Sequence, residues 1–374
     1  MELIQTNPLS TARQFVSLVR THGSQLLARR PELVPKLAMN FVRMNAFGQD
    51  VMRTLSLNIE SGCNATCNHC SADHIMEQTA VQDDRLNLEE LKRTIEGCLR
   101  AGAVSINITG GEPLLHPQIL DIIRAVPRHR GAPNIQTNGL LLTDQMAKDL
   151  AEAGLYITMI SLHSHKPEEH DALLNVPGAF DKVMEAIDNC HRHGIPVILN
   201  CTMTHQKVED GTLWEMVRLA KDKNVTVNFV QPCTTGKWED QLDVRLSPED
   251  YEEFDKAMKL PWVVWEGKSN YKHNGCRPGI ERIYVSSSGD VIPCAFIHLN
   301  FGNVRKESVS TIWARLRNFE YFRQTQERCM ASNDEHFYDE YVSRIAAHPD
   351  ALLPIEEHPS YRVSNPEEAA SVVR

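Results

Sequence analysis

From residue 54 onward, apolar runs and amphipathic stretches alternate at a regular beat, and this alternation narrows the fold more than any other feature of the chain. Strand candidates fall at 54–60, 104–109, 134–137, 156–162, 196–203 and 225–231. Helical stretches lie near 88–101, 117–126, 143–153, 178–193 and 211–222. Strands alternating with helices of this length build βαβ units on a parallel sheet, so the expected class is α/β. In βα barrels, active groups stand at the C-terminal ends of the strands. The distinctive polar residues obey that rule. A cysteine-rich loop follows the first strand candidate, Gly110-Gly111-Glu112-Pro113 the second and Thr137-Asn138-Gly139 the third. Ser161 and His163 end the fourth, Asn200 to Thr202 lie late in the fifth, and Gln231-Pro232 follows the sixth.

The cysteine loop carries Cys63, Cys67 and Cys70 in the spacing C-x3-C-x2-C, with His69 just before the last. Thiolates are the usual ligands of [4Fe–4S] clusters, which normally take four; a local trio leaves one iron open to another ligand. A zinc site would want a fourth nearby Cys or His, often in paired C-x2-4-C units, and that pairing is absent. In Gly110-Gly111-Glu112, two glycines let the backbone turn and approach closely, and a carboxylate offers charge-assisted hydrogen bonds to an ammonium group. His163 and His165 at the end of a strand could begin a metallohydrolase zinc site, but no supporting Lys or Asp set accompanies them.

The triplet and the Gly-Gly-Glu turn together resemble the radical S-adenosylmethionine (radical SAM) superfamily, whose usual form is C-x3-C-x-aromatic-C; here His69 takes the aromatic position. The resemblance implies a partial (β/α)6 barrel of TIM-like type. It also implies a catalytic [4Fe–4S] cluster on Cys63, Cys67 and Cys70, with S-adenosylmethionine on its open iron. Gly110, Gly111 and Glu112 would hold the methionyl amino group. Asn138, Ser161 and His163 are candidates for ribose and carboxylate, Asn200 and Thr202 for ribose or adenine. The Phe229–Gln231 segment, Val230 included, would pack against adenine. An external one-electron reductant such as flavodoxin or ferredoxin is expected as a partner.

A second cysteine group stands further on. Cys276 and Cys294 flank two apolar runs joined by Ser288-Gly289-Asp290, which reads as a β-hairpin, and Cys329 follows. The pattern C-x12-G-x4-C resembles the start of the SPASM/twitch extension of radical SAM enzymes, which binds auxiliary iron–sulfur clusters. The further C-x2-C-x5-C-x3-C run of a complete SPASM domain is missing, so a shortened, twitch-like domain with one cluster on Cys276, Cys294 and Cys329 is expected. Cys233 or His273 is a candidate fourth ligand; otherwise substrate or solvent completes the site. Cys98, Cys190 and Cys201 fit apolar packing.

The expected organisation is an N-terminal helical segment (1–53), the barrel (54–235), a connector (236–270), the auxiliary domain (271–335) and an acidic tail (336–374). Residues 1–53 hold seven Arg/Lys against three acids, with apolar Phe15, Leu18, Val19, Leu26 and Leu27 at helical spacing. A helical cap on the main domain is the favoured reading, and peripheral membrane contact the sharper one. A net charge of −10 speaks against a general nucleic-acid binder. No apolar run is long enough to span a bilayer, and ten cysteines without a signal peptide suit a reducing, cytoplasmic setting. Hydrogen abstraction from a small biosynthetic substrate, with net oxidation or rearrangement, is the expected activity. Maturation of a peptide or protein is the alternative. A non-catalytic iron–sulfur electron carrier is the rival from another class, and it would have no need of an ammonium pocket.

Overall fold

The computed structural model describes residues 29–358 apart from 83, 240, 266–270, 272–274 and 324–326. Six strands run parallel: β1 (Thr54–Asn58), β2 (Ser105–Thr109), β3 (Ala132–Thr137), β4 (Ile157–Ser161), β5 (Val197–Thr202) and β6 (Thr226–Val230). Each lies within one of the expected strand windows or starts two residues before it. Helices at Leu88–Arg100, Ile119–Arg124, Asp144–Ala153, Ala179–Arg192 and Thr212–Asp222 make the crossovers. The first of these begins with a reciprocal cap: Asn87 Oδ1 accepts from the backbone of Glu90, whose carboxylate accepts from Asn87 N. Its buried face is Leu91, Ile95, Cys98 and Leu99.

The strands alternate in a way that prepares a polar interior. Leu55, Leu57, Ile106, Ile108, Ile135, Ile160, Leu199 and Val227 are buried in the core. The residues between them are polar: Ser56, Asn107, Asn134, Gln136, Ser161, Asn200 and Asn228. Neighbouring strands join these across the ladder, Asn134 Nδ2 donating to Asn107 Oδ1 at 2.9 Å and Asn228 Nδ2 to Asn200 Oδ1 at 2.9 Å. A barrel core filled by branched aliphatics is a packed plug; here Ser56, Gln136, Ser161 and Asn200 line a cavity instead, while Asn107, Asn134 and Asn228 are taken up in bonds between strands.

The sheet extends beyond the six strands. Short β7 (Val263–Val264) pairs with β6, β8 (Arg282–Val285) lies parallel to β1, and β9 (Val291–Ile292) runs antiparallel to β8. The full order is β7-β6-β5-β4-β3-β2-β1-β8-β9. The expected hairpin around Gly289 is therefore present, but it is built onto the barrel sheet rather than set apart from it. The physical reason is the open edge of β1, whose backbone donors and acceptors need partners.

The N-terminal helix Val34–Phe47 closes the opposite end of the barrel. Lys36 Nζ donates to three carbonyls, Leu99 O at 3.0 Å, Ala103 O at 2.5 Å and Arg130 O at 2.7 Å. Arg30 donates to Gly131 O and Gly154 O, and Asn40 to Gly102 O. Leu99 ends the helix before β2 and the other carbonyls lie in turns entering β2, β3 and β4, so this segment is a cap on the main domain. The apolar run from Phe15 to Leu27 lies outside the described residues. No helix among the described residues is long and apolar enough to cross a membrane.

The described part of the expected acidic tail, up to His358, packs onto the domain. Phe337 and Tyr341 are buried, stacked on each other with centroids 4.8 Å apart, and Tyr341 stacks on His358 at 4.4 Å. Phe319 and Tyr321 join the same group. Leu353–Pro354 adds a short parallel pairing to Leu299–Asn300. Aromatic residues at i and i+4 give this acidic segment a buried face that its charge count conceals.

Candidate active site

The C-terminal ends of β1 to β6 and the hairpin of β8 and β9 open on one cavity of about 500 Å³. Cys63, Cys67 and Cys70 line one part of it, and Cys233, Cys276, Cys294 and Cys329 another. All ten cysteines of the chain are thiols. The remaining three, Cys98, Cys190 and Cys201, are wholly buried in the core and line no part of it.

Local bonds hold the first cysteine loop to its neighbours. Gly111 N donates to Glu60 O at 2.6 Å and Glu112 N to Gly62 O at 2.9 Å, stitching the Gly-Gly-Glu turn to the start of the loop. A side chain at Gly111 would place its Cβ 2.4 Å from Gly62 O, so only glycine permits this approach. Further along, Thr66 N and Asn68 N donate to Leu174 O and Leu173 O, and Asn175 Nδ2 donates back to Thr66 O at 2.7 Å. Cys70 O accepts from Lys237 N at 3.0 Å. The loop is thus fixed from three sides while its thiols face the cavity.

Burial, followed by the neighbouring Cys70 and Cys63, pushes the Cys67 thiol up to about 12. Burial likewise pushes Cys70 up to about 11 and raises Cys63. Without a cation these sulfurs are neutral; a positively charged iron core takes them as thiolates and releases their protons. Three such donors on a short fixed loop, beside glycine backbone that leaves room, suit a [4Fe–4S] cluster. Among the described residues no three His, Cys, Asp or Glu side chains close around a single metal ion.

The expected S-adenosylmethionine contacts divide. Gly110, Gly111, Asn138, Ser161, His163, Asn200, Thr202 and Val230 all line the cavity. Asn138 sits beside the triplet, its Nδ2 2.7 Å from Asn64 Oδ1 and 4.0 Å from Cys63 Sγ. Glu112 does not line it. Its carboxylate is fully buried and taken by three donors: Leu114 N at 3.0 Å, Thr137 Oγ1 at 2.8 Å and Asn138 N at 2.9 Å. Its role is therefore to tie the glycine turn to the end of β3, leaving backbone rather than carboxylate toward a ligand. Phe229 also departs from expectation, because it turns into the core against Phe254 while Val230 and Gln231 face the cavity.

His69 and His163 form a pair that spacing alone does not reveal. Their Nε2 atoms are 3.0 Å apart, so one ring donates to the other. Burial lowers His69 to about 3 and His163 well below the usual histidine range, which keeps both neutral. Thr202 N donates to His163 Nδ1, fixing that ring as an acceptor at this atom. His165 does not line the cavity, so the two histidines expected of a metallohydrolase do not converge. Lys237, Trp238, Arg282 and Tyr284 complete the wall. No sequence motif marks them; long-range folding of the 233–239 segment and of β8 brings them in.

In the second group, Cys233 Sγ and Cys329 Sγ are 3.7 Å apart. Their hydrogen bond raises the Cys233 thiol and lowers that of Cys329, while burial pushes Cys294 up to about 12. His273, the other candidate fourth ligand, lies outside the described residues. Gln231 Oε1 accepts from Cys329 N at 2.9 Å and from Asn333 Nδ2 at 3.2 Å. Tyr251 OH donates to Asn333 Oδ1 at 2.6 Å, and Arg328 pairs with Asp255 while lying 4.2 Å over the Tyr251 ring. The segment carrying Cys329 is thereby bonded to the barrel.

Residues 57–220 match the radical SAM superfamily, and residues 276–333 match the SPASM iron–sulfur cluster-binding domain. The chain is 25% identical over 319 residues to an AdoMet-dependent heme synthase of Oleidesulfovibrio alaskensis, covering 78% of this chain and 81% of the relative. It is 29% identical over 280 residues to a GTP 3′,8-cyclase of Staphylococcus carnosus, covering 68% and 82%. Among solved structures, Streptococcus suis SuiB bound to precursor peptide SuiA superposes with a TM-score of 0.57 at 16% identity, covering 74% of this chain and 68% of that one. At that identity the likeness is one of fold.

Proposed function

The chain belongs to the radical SAM superfamily and carries a SPASM iron–sulfur domain, and on that premise we propose that it abstracts hydrogen from a small biosynthetic substrate, giving net oxidation or rearrangement. The observation that carries this reading is the shared cavity: the cysteine triplet with its glycine turn and the second cysteine group line one space of about 500 Å³. That volume suits small ligands. When bound, a [4Fe–4S] cluster and S-adenosylmethionine supply one-electron cleavage to a 5′-deoxyadenosyl radical, and an auxiliary iron–sulfur cluster supplies a second one-electron centre.

The chain's own residues do the binding and shielding. Cys63, Cys67 and Cys70 would hold the catalytic cluster, and Cys276, Cys294 and Cys329 the auxiliary one. The backbone of Gly110 and Gly111 would receive the methionyl ammonium. Asn138, Ser161, Asn200 and Thr202 offer donors and acceptors to carboxylate and ribose, with Val230 against the adenine. Trp238, Trp265 and Phe296 contribute apolar walls that exclude water, which protects a reactive species from quenching. A small-molecule substrate is supported by the cyclase relative, whose name gives a nucleotide, GTP, as what it acts on. Electrons would come from an external reductant such as flavodoxin or ferredoxin.

The test is anaerobic reconstitution, reduction and addition of S-adenosylmethionine, with the metabolite fraction of a cell extract and a precursor-peptide panel supplied separately. Stimulation of 5′-deoxyadenosine formation by the metabolite fraction is expected. Stimulation by peptides alone would replace this reading with peptide maturation.

A further inference from the structure

The family match to the iron–sulfur domain begins at residue 276, yet a thiol within hydrogen-bond distance of Cys329 comes from outside it. Cys233 lies three residues past the end of β6, on the barrel, 4% exposed, with its Sγ 3.7 Å from Cys329 Sγ. Cys276 and Cys294, on either side of the β8–β9 hairpin, face the same space. A lone cysteine near others would be weak ground. A second observation stands beside it. Gln231 is 2% exposed and lines this cavity, its Oε1 is occupied by Cys329 N and Asn333 Nδ2, and its Nε2 is buried with no hydrogen-bond partner. A buried amide donor left unmet is destabilising, so a polar donor kept in this position points to an acceptor that the protein atoms alone do not supply. Sulfurs of an iron–sulfur cluster accept hydrogen bonds of this kind, and such bonds tune its potential.

We propose that the auxiliary cluster is a closed site held by four protein thiolates, with Cys233 of the barrel as fourth ligand beside Cys276, Cys294 and Cys329, and with the Gln231 amide donating to its sulfur. This rests on the reading that the second cysteine group binds a cluster at all. Its consequence is that no auxiliary iron is open to substrate, so the substrate meets this centre without coordinating it. A further consequence is mechanical. The cluster bridges the segment after β6, the β8–β9 hairpin and the Cys329 segment, locking the C-terminal domain to the barrel.

The experiment uses the full chain with Cys63, Cys67 and Cys70 all replaced by Ala, so that only the auxiliary centre remains. It is reconstituted with iron and sulfide and followed by iron content and by electron paramagnetic resonance, with cyanide as the probe of an open iron. With Cys233 intact, about four irons and a spectrum indifferent to cyanide are expected. Adding Cys233→Ala, or Cys233→Ser where the alanine variant folds poorly, should either lose iron or make the spectrum respond to cyanide. Full iron and an unchanged, cyanide-indifferent spectrum in those variants would overturn the ligand assignment, as would a cyanide response with Cys233 present. Absence of any cluster in the starting variant would instead overturn the auxiliary site itself. Gln231→Glu keeps the acceptor for Cys329 N and removes the amide donor, so the midpoint potential should fall. An unchanged potential would overturn the Gln231 part.

Discussion

Cys67 and Glu112 separate chemistry from scaffolding at the level of single residues. Cys67 stands at the centre of the triplet, and Cys67→Ala should remove about four irons per chain and all S-adenosylmethionine cleavage, while iron counting on the variant shows the auxiliary centre retained. Full iron in that variant would show that Cys67 holds none. Glu112 acts through other residues. Glu112→Gln puts an amide N–H where Asn138 N or Thr137 Oγ1 now donates, so it should destabilise the fold by roughly 1–2 kcal/mol and loosen Asn138. Weaker S-adenosylmethionine binding should follow by calorimetry, together with the lost stability. Lost affinity at unchanged stability would mean that the carboxylate itself touches the cofactor. The triplet was legible in the sequence because its spacing is local. The burial of Glu112 was not, because it depends on Thr137 at the end of β3, 25 residues further on, whose hydroxyl donates to it. Gln231 was seen only as a residue after a strand, since its partners Cys329 and Asn333 lie 98 and 102 residues on.

At the scale of elements, apolar runs such as that of Leu55 and Leu57 marked all six strands, and the helical stretches between them marked the crossovers. What escaped was pairing between distant segments. Nothing in Arg282–Val285 says that it lies parallel to β1, because edge pairing is decided by which backbone groups remain open. The buried face of residues 335–358 escaped for a related reason: Phe337 and Tyr341 become a packing surface only once Phe319 and Tyr321 are placed against them. The N-terminal cap yields a clean prediction. Lys36 Nζ serves three carbonyls that enter the barrel turns, so Lys36→Met should cost roughly 2–3 kcal/mol, read as a lower denaturant midpoint at unchanged slope. Iron content should stay as in the parent protein, since the cap lies on the face away from the cysteines. Loss of iron without loss of stability would contradict this division of labour.

For the whole molecule, buried neutral histidines set an acid limit. Burial lowers both His170 and His298 to about 4, from the ordinary value of 6.5. Above about pH 6.5 neither carries a charge in the folded or unfolded chain, and their contribution is fully present. As pH falls from about 6.5 toward 4, the unfolded chain takes up protons that the folded protein refuses, and stability declines by up to about 3 kcal/mol for each group. His298→Gln should flatten that decline in denaturant titrations across the window; an identical decline in the variant would exclude His298 as a contributor.

The central claim is that one cavity unites a cluster-binding cysteine triplet with S-adenosylmethionine and radical chemistry. It is tested most directly by assaying 5′-deoxyadenosine from the anaerobically reconstituted, reduced protein with S-adenosylmethionine and the metabolite fraction present. Deoxyadenosine is expected from the wild-type chain and none from Cys67→Ala. A fully iron-loaded wild-type protein that forms no deoxyadenosine under these conditions would contradict it.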